Sequence, residues 1–137
     1  MGVTMNVEEN SNLSIKNWLA ILVLAISTFI IVTTELAPVG LLTPMAKDFG
    51  VSESQIGLTV TIYAWVGAFS AILASVFLGN IAKKTLLIVL ITILLASNTL
   101  SATVTTYSML LVARVIGALA HGSFWAIIGA TAVAIVP

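Results

Sequence analysis

Charged side chains divide the chain into four long apolar stretches. The charges stand at positions 8, 9, 16, 35, 47, 48, 53, 83, 84 and 114, and the gaps between them hold the roughly 20 apolar residues that a helix needs to cross a bilayer. We therefore predict an all-α membrane protein, with a polar tail over residues 1–16 and a transmembrane region over residues 17–137. The predicted transmembrane helices cover about residues 18–42, 56–78, 85–103 and 109–133.

Composition supports a membrane protein and excludes several other classes. Of the 137 residues, 60% are hydrophobic and 7% charged, whereas a soluble domain has about 25% charged residues. The net charge is zero, so no basic surface is available for nucleic acid. Cysteine is absent, and no trio of nucleophile, base and orienting group is recognisable. We expect neither an enzyme nor a bound cofactor or metal.

The lysines predict the orientation of the helices. With a cytoplasmic N-terminus, Lys16, Lys83 and Lys84 lie inside and Lys47 lies outside, which is the usual excess of positive charge on the inner side. The opening MGVTMNVEENSNLSIKN is polar and mildly acidic, unlike a cleaved secretory signal, so the first helix is expected to be retained. Short connections predict antiparallel neighbours, and Ser52 with Gln55 forms a capping pattern for the second helix.

Glu35 and Arg114 carry charges inside two of the predicted helices. Glu35 lies in the stretch IVTTELAPVGLLTPM, and a rise of about 1.5 Å per residue places both side chains roughly 10–12 Å below the same membrane surface. A charge at that depth costs at least about 2.5 kcal/mol, so the two side chains should face the protein interior together. Either they form a structural ion pair or they form a working site. Pro38 and Gly40 loosen the helix beside Glu35 and favour the working site.

Further polar and aromatic residues are candidates for contact with a solute. Arg114, His121 and Trp125 recur along one stripe of the fourth predicted helix. His121 has the side chain whose ordinary pKa is nearest neutrality, although a hydrogen-bonded packing role is open too. Tyr63 and Trp65 in the second helix could line a cavity, pack, or lie at the membrane surface.

Four segments of the chain resemble a known transporter family. They are TTELAPVGLL, YAWVGA, GNIAKKTLLI and ARVIGALAHGSFWA, and in this order and spacing they resemble the first four helices of the major facilitator superfamily. Within it they are most similar to the drug and sugar efflux branch of proton antiporters, and closest to bacterial sugar efflux transporters. The loop signature of the family is matched only in part, because Asn80 stands nearest to where its acidic residue is expected.

The resemblance implies a function and a set of site residues. It implies a multi-pass carrier of the bacterial inner membrane that exports a sugar or a drug-like solute and uses the proton gradient as its energy source. Glu35 and Arg114 would couple protons, and substrate would be bound by His121, Trp125, Tyr63 and Trp65.

The resemblance also implies that this chain corresponds to part of a carrier. Such carriers consist of two six-helix halves, so we expect the chain to form the first part of one half, with C-terminal helices as missing partners. The four helices alone are expected to insert into the bilayer without transporting.

Two alternatives to a facilitator carrier are open. Four helices with one glutamate in the first also resemble the small multidrug exporters, which act as dimers. The polar tail, Arg114 and the prolines Pro38 and Pro44 fit the larger family better. A nonfunctional, truncated fragment is the other alternative, and the sequence does not separate it from a working carrier.

Overall fold

Helices account for almost all of the described chain. The computed structural model describes residues 2–135, with side chains for residues 15–129 and 131, and this range contains no strand. Stretches within four of the helices are long and apolar enough to cross a membrane. The predicted fold class, an all-α membrane protein with four spanning helices, is therefore confirmed. The helices are α1 (Gly2–Gly40), α2 (Leu42–Phe49), α3 (Glu53–Phe77), α4 (Lys83–Thr103) and α5 (Tyr107–Ile135).

The helix bounds differ from the predicted ones mainly around α1 and α2. The apolar stretch of α1 covers Ile15–Gly40, but the helix continues back to Gly2 through residues predicted as a polar tail. The prediction left out α2, an eight-residue helix with an apolar face, although Leu42, Met45, Ala46 and Phe49 recur at helical spacing. Its Ala46 packs with Ile56 of α3 and Leu110 of α5, so the apolar residues of α2 belong to the core and not to a spanning segment.

Local signals define the connection between α2 and α3. Gly50 ends α2 with a φ of 64°, in the left-handed region that glycine adopts without steric cost. Ser52 then begins α3 with a capping box to Gln55, as predicted. Tyr107, the first residue of α5, donates from its hydroxyl to the Gln55 carbonyl over 2.8 Å. We call this part of the bundle, residues 41–53 and 104–107, the α2 end, and the opposite part, residues 78–84, the lysine end.

α5 is the central helix of the bundle and packs closely against α3. Gly122 of α5 lies so near the backbone of Gly67 in α3 that a methyl group on Gly122 would overlap the Gly67 carbonyl. The Ser70 hydroxyl donates across the same interface to the Leu119 carbonyl. Small residues permit close approach of two helices in a membrane, where lipid offers no hydrophobic drive for association. The α3–α5 pair is therefore fixed by small-residue packing and interhelical hydrogen bonds.

α4 covers another side of α5 through an apolar contact. Four buried leucines of α4 pack on Ala120, Phe124 and Ile128 of α5 in one cluster. Near the α2 end this contact becomes polar, because the Ser97 hydroxyl donates to the Ala113 carbonyl over 2.7 Å. The leucines are Leu86, Leu87, Leu90 and Leu94.

α1 is the least covered of the spanning helices. Its Trp18 and Phe29 side chains are 69% and 72% exposed, and most of its apolar surface faces outward. Hydroxyls on this helix bond to carbonyls of the preceding turn, as in Thr33 to Phe29, which satisfies them without a neighbour. α1 is therefore held to the bundle by a few polar groups that meet α5 and by Ile31, which joins the apolar cluster of α4 and α5.

Candidate functional site

The Glu35 carboxylate contacts a histidine. Glu35 Oε2 lies 3.3 Å from Nε2 of His121, which joins α1 to α5 inside the spanning region. The histidine is buried, at 7% exposure, and 24% of the Glu35 side chain is exposed. A carboxylate and an imidazole at this separation can hold a proton between them.

Arg114 binds the backbone of α1. Its two terminal nitrogens donate to the carbonyls of Thr34 over 3.4 Å and of Glu35 over 3.0 Å. We expected the guanidinium to meet the Glu35 carboxylate directly or through water. Among the described residues, however, the carboxylate has His121 as its ionisable partner. The expectation that the first and fourth spanning helices meet at these charges agrees with the structure.

Pro38 explains why Arg114 is needed at this place. Proline has no N–H, so the carbonyl four residues earlier, that of Thr34, loses its intrahelical donor. An unpaired backbone carbonyl inside a membrane is costly. The Arg114 guanidinium supplies the missing donor, and only 4% of the residue is exposed. The cation is thus held by the irregularity that Pro38 introduces into α1.

Tyr63 of α3 completes the cluster. The guanidinium carbon of Arg114 lies 4.4 Å from the centre of the Tyr63 ring, within the range of a cation–π interaction. The same ring meets His121 edge to face, with 5.2 Å between centroids. Tyr63 therefore contacts both the fixed cation and the titratable imidazole, and brings three helices together at the site.

The two tryptophans lie in different surroundings. The Trp125 ring is 6.2 Å from that of His121, one turn further towards the lysine end, so it borders the cluster while 42% exposed. Trp65 is 65% exposed and pairs with Phe69, at 6.4 Å, on the outer surface of α3. The structure thus gathers Glu35, Arg114, His121 and Tyr63, with Trp125 at the edge, and leaves Trp65 outside.

A cavity of about 580 Å³ lies beside the cluster towards the α2 end, between α1, α2, α4 and α5. Ser101 and Arg114 line it, and the Ser101 hydroxyl and Arg114 Nε are buried without a hydrogen-bond partner among the described residues. Sequence reasoning missed both Ser101 and the Thr34 carbonyl. The rule that proline frees the carbonyl four residues earlier is the signal that could have identified Thr34.

The described residues contain no group of three or more His, Cys, Asp or Glu side chains that could hold a metal ion. Within the cluster, Glu35 and His121 are placed to share a proton, beside the Arg114 cation and the Tyr63 ring.

We expect the Arg114–Pro38 relation to be measurable as a coupling energy. Arg114→Lys keeps the charge but loses the paired donors, and should lower the free energy of unfolding by about 1.5–3 kcal/mol, the value of a hydrogen bond to a charged group. In a Pro38→Ala background the restored N–H satisfies the Thr34 carbonyl, so Arg114→Lys should cost about 1 kcal/mol less. A double-mutant cycle of unfolding in detergent measures this difference. Equal costs in both backgrounds would contradict the assigned role of Arg114.

Comparison of the chain with known families gives one match. Residues 20–137 match the model described as the Major Facilitator Superfamily. The matched range includes all the residues of the cluster. No solved structure matches the chain.

Proposed function

The chain belongs to the major facilitator superfamily, and from this premise we infer that it serves the export of a sugar or a related small solute in exchange for protons. Members of the family are membrane transporters, and four apolar spanning helices agree with a multi-pass protein of that kind. The proposal of proton exchange rests on the single observation that the Glu35 carboxylate meets His121 inside the membrane-spanning region.

The charges of the cluster suit the exchange of a solute for a proton. Glu35 can gain and lose a proton, while Arg114 stays protonated under all physiological conditions. Arg114 lies beside Glu35 through the backbone of α1, so one fixed positive charge faces one variable negative charge. Proton binding therefore changes the net charge of the site from zero to positive. A solute that binds more tightly to one charge state of the site is released when Glu35 gains or loses its proton, and antiport requires this coupling.

The groups proposed to meet the solute are Tyr63, His121 and Trp125. Aromatic faces beside a few polar groups are typical of small-molecule sites, and the His121 ring adjoins both the Tyr63 ring and the Trp125 ring. We leave Trp65 out of the proposed set, because its side chain faces away from the cluster. A drug-like amphiphile would suit the same surfaces as a sugar.

We also propose that further transmembrane helices complete the carrier and cover α1. The exposed apolar surface of α1 supports this proposal, since small contacts with α3 and α5 leave most of the helix uncovered. The bacterial inner membrane, with the N-terminus in the cytoplasm, is the proposed location. Lys83 and Lys84 at the lysine end and Lys47 at the α2 end support this orientation.

Transport measurements in inverted membrane vesicles test the proposed function. Vesicles that contain the chain together with the further helices that complete the carrier are energised to an acidic lumen, and sugars or amphiphiles are added while a dye reports the luminal pH. We expect an exported solute to raise the luminal pH and to accumulate only while the gradient exists. Solute flux that is equal with and without the gradient would contradict proton exchange.

A further inference from the structure

We propose that the Glu35–His121 pair is a proton-controlled contact between α1 and α5, closed in its deprotonated state and opened when the pair takes up a proton. The proposal rests on the proton-coupled export argued above, and gives His121 a role as proton partner in place of a solute contact alone. Three features of the structure carry it: the contact itself, the surroundings of the second imidazole nitrogen, and the way α1 is held.

The contact defines which tautomer the histidine adopts. While Glu35 is ionised, its carboxylate accepts hydrogen bonds only, so Nε2 of His121, 3.3 Å away, must carry the proton of the neutral ring. Nδ1 then has a lone pair and no proton. The other groups that face the imidazole from the packed helices are Tyr63 from α3 and Arg114 from α5 itself.

The surroundings of Nδ1, the second ring nitrogen, disfavour a proton there. Nδ1 of His121 is buried and has no hydrogen-bond partner among the described residues. Without a proton, Nδ1 lacks only one hydrogen bond that it could accept. With a proton, it becomes a buried donor without an acceptor, which costs more free energy, and the cost rises further when the ring is charged. The packed site therefore favours the ring with its proton on Nε2.

An added proton can reach Nδ1 by two routes. If the ring takes it, the imidazolium has an N–H at both nitrogens. If the Glu35 carboxylate takes it and its new O–H donates to Nε2, the proton of the ring must leave Nε2 and appear on Nδ1. The total gain is one proton in each case. In the two routes that protonate Nδ1, the ring needs an acceptor there that the closed arrangement does not provide. A proton on Oε1 of Glu35 would instead leave Oε2 accepting from Nε2–H and Nδ1 without a proton, so that the contact stays closed, and the ¹⁵N signal of Nδ1 distinguishes this case.

Because α1 makes few contacts with the bundle, protonation of Nδ1 can move this helix. α1 is the least covered spanning helix, and its backbone bonds to Arg114 do not depend on pH, because guanidinium stays charged. Breaking the Glu35–His121 contact leaves α1 held by the Arg114–carbonyl bonds and by the apolar contact of Ile31, about which the helix can turn. We therefore expect protonation to move α1 relative to α5 while α4 and α5 keep their apolar contact.

The composition of the chain makes the test unusually direct. His121 is the one histidine and cysteine is absent, so ¹⁵N-histidine labelling reports a single ring, and spin labels attach only at introduced cysteines. Ile26→Cys with Ile116→Cys measures the α1–α5 distance, and Ile93→Cys with Ile116→Cys measures α4–α5 as a control. All three positions are exposed. The protein is studied in lipid bilayers across a pH titration.

We expect the ¹⁵N signals near neutral pH to show a proton on Nε2 and none on Nδ1. On acidification Nδ1 should become protonated, and the α1–α5 distance should change over the same pH interval while the α4–α5 distance stays constant. In Glu35→Gln the imidazole is the one group of the pair that can take up a proton, and it lacks the carboxylate that stabilises an imidazolium, so the change in distance should require a lower pH. Glu53→Gln, at the α2 end, should keep the wild-type pH interval. An unchanged α4–α5 distance in Glu35→Gln shows that the variant is folded.

The proposal would be overturned if Nδ1 were protonated at neutral pH. It would also be overturned if the α1–α5 distance did not change with pH, or changed over the same pH interval in Glu35→Gln. The vesicle measurement separates this proposal from the proposed function. If transport is coupled to protons but the ¹⁵N signals and the α1–α5 distance do not change with pH, only the proton-controlled contact is contradicted. The changes without coupled transport remove only the antiport function.

Discussion

Glu35→Gln is expected to lower pH-gradient-driven export by about 100-fold or more, the loss typical of removing a group that transfers a proton. The amide keeps the shape of the carboxylate and can still bond to His121, but it does not titrate at physiological pH. Solute exchange in the absence of a gradient should persist, since that process needs no net proton transfer. Uptake into inverted vesicles with and without the gradient measures both activities.

Glu53→Gln is the matched control for this experiment. This variant makes the same change from acid to amide at the α2 end. There the Glu53 carboxylate accepts a 2.6 Å hydrogen bond from the Thr43 hydroxyl. It should transport with wild-type coupling. If Glu35→Gln kept the wild-type ratio of gradient-driven to gradient-free flux, Glu35 would be a packing residue.

The second large effect is on stability, at the crossing of α3 and α5. Gly122→Ala places a methyl group where the Gly67 carbonyl lies, and neither backbone can yield without separating the two helices. We expect the free energy of unfolding to fall by about 3 kcal/mol, at the upper end of the usual range for overpacking. Titration with a denaturing detergent, followed by helix content, provides the measurement.

Gly129→Ala isolates the cause of that loss. Gly129 lies on the same helix, but a methyl group there meets nothing within 4 Å, and alanine favours helix more than glycine does by about 1 kcal/mol. This variant should be as stable as the parent or slightly more so. Similar losses in both variants would show that glycine is needed for a reason other than the α3–α5 contact.

The spanning helices could be predicted from the sequence because bilayer thickness dictates their length. Charges at positions such as Lys47, Lys83 and Lys84 interrupt the apolar runs, and a helix is the structure that satisfies its own backbone in lipid. α2 was not predicted because its apolar residues continue the run of α1, and eight residues give only two turns in which the helical spacing of Leu42, Met45, Ala46 and Phe49 can be recognised.

Membership of the site was predictable, but its pairing was not. A charge inside an apolar run must find a partner, so Glu35, Arg114 and His121 stood out in the sequence. Which atoms meet depends on helix rotation and on a backbone acceptor, the Thr34 carbonyl, that no side-chain pattern records. Trp65 illustrates the same limit, since only the packed α3 shows that its ring faces outward.

The bond between Arg114 and α1 has a consequence for biosynthesis. The guanidinium and the Thr34 carbonyl are 80 residues apart in sequence, so α1 leaves the ribosome well before its partner is made. A lone arginine near the middle of a nascent helix opposes entry into lipid by about 2.5–3.5 kcal/mol. α1 satisfies its hydroxyls with its own carbonyls, but its Glu35 carboxyl and its Thr34 carbonyl lack their partners until α5 is made. α1 and α5 thus each carry polar groups that oppose entry into lipid, and the insertion of α5 beside α1 satisfies the groups of both helices.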